Sequence, residues 1–212
     1  MKLWSESFKD GEPIPGEFAF CVIDPATHVA MSSNRNPHLA WSDVPDGTKS
    51  FALICHDIDV PSRGDDVNQE GKTVPADLPR VGFFHWTLID LPASTQSIAA
   101  GQYSSEVTAR GKSGPEISGG GAGRHGINDY TSWFAGDANM SGDYYGYDGP
   151  CPPWNDSILH RYVFTVYALD VERLPVDGKF TGAQLIEAMQ GHILGEAKMT
   201  GTYTLNPQVA AK

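Results

Sequence analysis

Two separated segments of this 212-residue chain set ionisable side chains beside prolines, each at the end of an apolar run. One is His56-Asp57-Ile58-Asp59-Val60-Pro61-Ser62-Arg63; the other runs from Asp148-Gly149-Pro150-Cys151-Pro152-Pro153 to His160-Arg161-Tyr162. A third contributor, His85, lies in the alternating run from Val81 to Ile89. A carboxylate beside an imidazole favours the imidazolium. A cationic histidine, the Tyr162 hydroxyl and free loop N–H groups are hydrogen-bond donors, and Asp57 and Asp59 are acceptors. If the two segments meet, they line one small, rigid polar pocket.

The same residues admit two other readings. His85 and His160 could act as acid and base in a small hydrolase or lyase, but no nucleophile with an orienting partner accompanies them. Asp57, Asp59, His85 and His160 are ligand types that suit zinc, yet aspartates paired with histidines use the same lone pairs. Neither catalysis nor a metal or other cofactor is therefore expected.

Short strands must position these groups. Phe18 to Ile23 and Phe51 to Cys55 are nearly continuous apolar runs, read as buried strands. In the run from Val81, Phe83, His85, Thr87 and Ile89 share one face and Phe84, Trp86 and Leu88 the other. Tyr162 to Leu169 alternates likewise, so His160 and Tyr162 share a face. Asp57 and Asp59, two apart, are expected on one side of their strand. Pro61 ends that strand, and a cis Val60–Pro61 peptide is expected to turn the chain there. Thr181 reads as the N-cap of a helix reaching about Leu194, with Gly195 as its stop. Lys198 to Leu205 reads as a final strand. Residues 61–80 and 101–159 are long irregular stretches, which in a compact domain usually carry function. No repeat or linker divides the chain, so a single domain over residues 1–212 is expected.

Composition narrows the partners. A net charge of −11 without a basic cluster disfavours nucleic acid and anionic membranes, and no apolar run is long enough to span a bilayer. Cys21, Cys55 and Cys151 are few, odd in number and irregularly spaced. They suit a reducing compartment, so the cytoplasm is expected. Cys21 and Cys55 read as small core residues. Gly121-Ala122-Gly123-Arg124-His125-Gly126 matches a dinucleotide fingerprint only literally, with no strand before it or helix after it. Gly111-Lys112-Ser113 would end a P-loop, but Glu106 stands where its first glycine belongs.

The segments also resemble a known family, the phosphatidylethanolamine-binding or Raf kinase inhibitor-like proteins, in its bacterial branch. Asp57-Ile58-Asp59-Val60-Pro61-Ser62-Arg63 is similar to that family's Asp-Pro-Asp-x-Pro-Ser-Arg signature. His85-Trp86-Thr87-Leu88-Ile89 with Leu91-Pro92 resembles its second motif; Tyr147-Asp148-Gly149-Pro150, Pro152-Pro153 and His160-Arg161-Tyr162 resemble its third, in the same order. Ile58 replaces the usual proline, Cys151 interrupts the proline run, and residues 64–80 form a longer insertion than in compact bacterial members. The resemblance implies a mainly β fold, an antiparallel β-sandwich with Greek-key connections and peripheral helices. It implies a ligand site at Asp57, Asp59, Pro61, His85, Gly149, Pro150, Pro152, Pro153, His160 and Tyr162. It further implies a phosphorylated or other anionic ligand, such as a phospholipid headgroup, regulation of a kinase or protease, and a homodimer.

Overall fold

A computed structural model describes residues 1–210 and is mostly β. Its strands are β1 (Lys2–Trp4), β2 (Cys21–Asp24), β3 (His28–Met31), β4 (Leu39–Ser42), β5 (Ser50–Pro61), β6 (Arg80–Pro92), β7 (Ser97–Ile98), β8 (Arg124–His125), β9 (His160–Leu169) and β10 (Ile193–Tyr203). Three short helices are α1 (Tyr130–Trp133), α2 (Gly182–Ala188) and α3 (Pro207–Ala210). A five-stranded sheet has the order β10-β9-β5-β6-β8, a three-stranded sheet the order β1-β4-β7, and β2-β3 form a hairpin. Pairing within all three is antiparallel.

The period of two in the long strands decides what lies on each face of the large sheet. Inner-face residues Phe51, Leu53 and Cys55 of β5, with Phe164 and Val166 of β9 and Trp86 and Leu88 of β6, join Leu39, Trp41 and Ile98 of the smaller sheet in one buried cluster. Fully burying such a side chain contributes about 1.5–3 kcal/mol, so this shared core holds the two sheets together. The outer face carries Ala52, Ile54 and Ile89, covered by Phe180, Leu185 and Met189 from and around α2.

Thr181 caps α2 as expected: its hydroxyl accepts from Gln184 N–H, and the Gln184 side chain accepts from Thr181 N–H at 2.9 Å. The helix is shorter than its apolar spacing suggests. It gives way after Ala188 to a turn through Gly191, whose φ of 80° needs a glycine. Ile193, Leu194 and Gly195 thus begin β10, with a bulge between Ile193 and Gly195. The run from Phe18 is likewise only partly strand, since Gly16–Phe18 form a 3-10 turn and β2 starts at Cys21.

Two further expectations are corrected. The cis peptide among the described residues is Gly114–Pro115, so Val60–Pro61 is trans; β5 continues through Pro61, opposite Arg80, and needs no sharp turn. Cys21 and Cys151 form a disulfide across 130 residues, leaving Cys55 as the free, buried thiol. Such bonds persist where thiols are kept oxidised, which is at odds with a reducing compartment. No described helix is long and apolar enough to cross a membrane.

Candidate functional site

At one end of the large sheet the inner row changes from apolar to polar without changing face. Along β5 the series Phe51, Leu53, Cys55 continues to Asp57, and along β9 Val166 and Phe164 are followed by Tyr162 and His160. Asp57 stands opposite Tyr162 on one side and Phe83 on the other. Two irregularities in the β5–β6 ladder then aim the remaining groups. Cys55 pairs with Trp86 but His56 with Phe84, so His85 is the extra residue of a bulge. Ile58 and Asp59 together oppose Gly82 alone. A bulge re-aims the side chains beside it, and here each one re-aims a residue singled out in the sequence. Gly82 is needed at its position because a Cβ there would overlap the His56 ring.

A cavity of about 590 Å³ opens at this end. Asp57, Pro61, His85, Pro152, Pro153, His160 and Tyr162 line it, together with Phe20, Val29, Met31, Phe83, Tyr130, Trp133, Phe134 and both disulfide cysteines. Seven of the sequence-derived site residues therefore meet. Asp59, Gly149 and Pro150 lie outside the lining. Asp59 turns to Arg161, with Nη2–Oδ1 and Nε–Oδ2 distances of 2.8 and 2.9 Å, and it also accepts from Arg161 N–H. Gly149 and Pro150 brace the wall from behind. The carbonyl of Pro150 accepts from Phe20 and Cys21 N–H, and that of Gly149 from the Tyr130 hydroxyl. A Cβ on Gly149 would sit 2.2 Å from the Phe18 carbonyl oxygen, so the close approach requires glycine.

The two histidines on the cavity floor have different partners. His160 Nδ1 is 2.8 Å from Asp57 Oδ2 and its Nε2 is 2.9 Å from Asp156 Oδ2, while Arg80 grips Asp156 with two N–H groups at 2.6 and 3.1 Å. Burial alone would push His160 down, but the hydrogen bonds and charges of Asp156 and Asp57 prevail and raise it to about 9. Arg80–Asp156–His160–Asp57 is thus a buried chain of alternating charge in which both imidazolium N–H groups are used. His85 instead donates its Nδ1–H to the carbonyl of Asp148 at 2.7 Å. Burial holds its pKa below the ordinary value, against the raising effect of the Asp57 charge and the Asp148 carbonyl. It is a neutral ring whose Nε2 has no hydrogen-bond partner among the described residues. Beside it Tyr162 Oη is buried and makes no well-formed hydrogen bond among the described residues, with the Asp57 carboxylate close by. Burial, then the Asp57 charge, keeps that phenol protonated well above its usual range.

Several supporting residues were not singled out from sequence. Asp148 appeared in the motif without a role, yet its carboxylate accepts from Asn34, Asn128 and Lys112 at 2.8–2.9 Å while its carbonyl fixes His85. Asn155 pins the 64–80 insertion. Its amide donates to the carbonyls of Asp66, Gln69 and Lys72 and its side-chain oxygen accepts from Asn68 N–H, which sets Arg63, Gly64, Val67 and Asn68 along the cavity rim. The Asn-Pro-Gly-Asp content of these loops was the available signal; their pairings were not. Among the described residues, no group of three or more His, Cys, Asp or Glu is placed to hold a metal ion.

Residues 4–204 match the family model described as phosphatidylethanolamine-binding protein. The chain belongs to that family. It is 31% identical over 204 residues to the UPF0098 protein YbhB of Escherichia coli, covering 96% of this chain and all of that one. A UPF0098 protein of Aquifex aeolicus is 32% identical over 204 residues, covering 96% of this chain and 88% of its own length. Among solved structures, E. coli YbcL, described as a member of the mammalian family, superposes with a TM-score of 0.67 at 26% identity, covering 96% of this chain and 97% of that one. A family homolog from Chlamydia trachomatis gives 0.62 at 29% identity, covering 95% of each chain. Family membership therefore agrees with the three ordered motifs and with the mainly β fold.

Proposed function

We propose that this protein is a non-catalytic binder of an amphipathic ligand whose phosphate-bearing or other anionic head rests on the cavity floor. The observation that carries this reading is the pair of unpartnered polar atoms, Tyr162 Oη and His85 Nε2, at the end of a cavity otherwise walled by Phe20, Val29, Met31, Phe83, Trp133 and Phe134. A buried hydroxyl without an acceptor costs about 1–3 kcal/mol, and an oxyanion supplies the missing acceptor. His85 joins as a second donor once it takes up a proton, which an adjacent anion favours. Arg63 on the rim adds a cation. Asp57 has lone pairs left for an ammonium, so a phosphoethanolamine-like zwitterion satisfies both signs. The apolar walls then meet the rest of the ligand, with the exposed Met31 and Trp133 at the mouth.

The same geometry supports binding over turnover. His160 has no free ring nitrogen with which to move a proton, and no hydroxyl or thiol is hydrogen-bonded to His85. Regulation of a kinase or protease partner is a further part of the proposal, resting on the family resemblance.

The test is titration with glycerophosphoethanolamine and with a short-chain phosphatidylethanolamine, following the histidine NMR signals. A saturable shift at His85 is expected with both, and tighter binding of the acylated ligand. No saturable His85 response to either would overturn the reading.

A further inference from the structure

A second cavity lies in the long loop region and shares no lining residue with the first. It measures about 300 Å³, and its polar lining is Gln102, Tyr103, Lys112, Ser113, Ser118 and His125. No carboxylate lines it. Three of these residues are hydroxyl-bearing and one is a lysine, so the wall is rich in donors. The Gln102 side-chain oxygen is committed to Ala99 N–H at 2.9 Å, which leaves its NH₂ group as the end available to a ligand. Lys112 Nζ uses one proton on Asp148, at 2.9 Å, and is 19% exposed, whereas Asp148 is 2% exposed. The cavity thus meets the ammonium while the counter-charge stays behind it. His125 is 94% buried, and its Nε2 has no hydrogen-bond partner. Burial, then the Lys112 charge, lowers its pKa to about 3, so at neutral pH it is an uncharged ring with one N–H to give. Its ring is held edge-on to Tyr103, at a centroid distance of 5.2 Å.

We infer that this cavity is a second binding site, for a small oxyanion, read by Lys112, His125, Gln102 and the serine hydroxyls. An orphaned buried nitrogen, a cation facing inward and a wall free of acids are an unusual combination in a chain of net charge −11. The volume suits a carboxylate or phosphate ester of metabolite size, and Ile117 with the Tyr103 ring supplies the apolar part of the wall. The site is independent of the first cavity in its lining, and its ligand needs no amphipathic character.

Inorganic phosphate, acetate and glycerol serve as probes, with ring signals of His125 and the side-chain signals of Lys112 as readouts. Saturable shifts at both residues are expected with phosphate or acetate and not with glycerol. Two variants follow. Lys112→Gln removes the charge, and because it leaves Asp148 buried without its cation it tests folding as well. Ser118→Phe alters an exposed loop residue and fills the cavity without touching that pair. Each is expected to weaken the His125 response by at least about tenfold, the loss of a charge-assisted hydrogen bond or of the space itself. In the unaltered chain and in Ser118→Phe, shifts at His85 report the first cavity separately, so failure of one site is distinguishable from failure of the other. Absence of a saturable His125 shift with either anion, an equal response to glycerol, or an unchanged response in folded Ser118→Phe would overturn the proposal.

Discussion

His160 and His85 line one cavity and are both almost fully buried, yet their pKa values move in opposite directions. Desolvation opposes charge on each ring. His160 overcomes it because two carboxylates, themselves held by Arg80 and by backbone N–H, meet both ring nitrogens. His85 meets one carbonyl, a dipole instead of a charge, and stays neutral. Position on the floor therefore does not set the role of a histidine here; the formal charge of its partner does. One ring becomes a fixed cation that ties β5 to the 153–160 segment, and the other keeps Nε2 without a hydrogen-bond partner among the described residues.

Breaking the carboxylate chain should produce the largest effect. Asp156→Asn leaves Arg80 without its counter-charge and His160 with one carboxylate instead of two. Removing one member of a buried pair costs about 3–5 kcal/mol, readable as a lower urea midpoint. His160 should then titrate well below its present value of about 9, with His85 unmoved. A variant in which His160 stays cationic to the same pH would show that something other than these carboxylates sets the contrast.

The pH dependence of stability is next in size. His160 in the folded chain sits above its unfolded value near 6.5, so its contribution is complete below that pH and is lost as pH rises toward 9. For His85 the folded pKa is depressed, so the neutral ring's contribution is complete above 6.5 and falls away below it. His125 and His56 are also depressed and add to the acid limb. Urea midpoints should thus decline on the alkaline side by an amount on the order of 1–3 kcal/mol, and this alkaline limb should flatten in Asp156→Asn. An alkaline limb of the same slope in that variant would remove His160 as its source.

Ligand affinity offers a smaller and more selective test. Glycerophosphoethanolamine carries a phosphodiester that does not titrate near neutrality, so any pH dependence belongs to the protein. If the anion sits against His85 and draws a proton onto Nε2, affinity should rise as pH falls from 8 to 6, by up to about tenfold per unit. His85→Gln should abolish the slope. Affinity that weakens on acidification would mean that His85 accepts a hydrogen bond from the ligand and that the ammonium end occupies the floor.

The alternation that carried Phe51, Leu53 and Cys55 inward also placed Asp57, and the same reasoning placed Tyr162 and His160. That much was legible because a strand repeats every two residues along its own sequence. The bulges were not, because each depends on how many residues of β6 oppose those of β5. Cys21–Cys151 was hidden for a related reason: their approach follows from Phe20 and Cys21 hydrogen-bonding to Pro150, a contact between distant segments. Asp156 and Asp148, the groups that give the two histidines their different environments, sit in loops whose composition announces turns but not partners.

The smallest expected effect distinguishes the two aspartates of the first motif. A regular strand would set Asp57 and Asp59 on one side, and both would then face the cavity. The extra residue opposite Gly82 instead sends Asp59 to Arg161, whose side chain is 57% exposed. Ion pairs with such a solvated partner contribute about 1 kcal/mol or less. Asp59→Asn keeps one acceptor oxygen for Arg161, and should cost about 1 kcal/mol or less in stability while leaving glycerophosphoethanolamine affinity nearly unchanged. Asp57→Asn removes the carboxylate that His160 and the ligand share, and should weaken binding at least about tenfold. Calorimetric titration of the two variants side by side reads the difference directly. Equal losses would place Asp59 back in the site and show that the bulge straightens when a ligand binds.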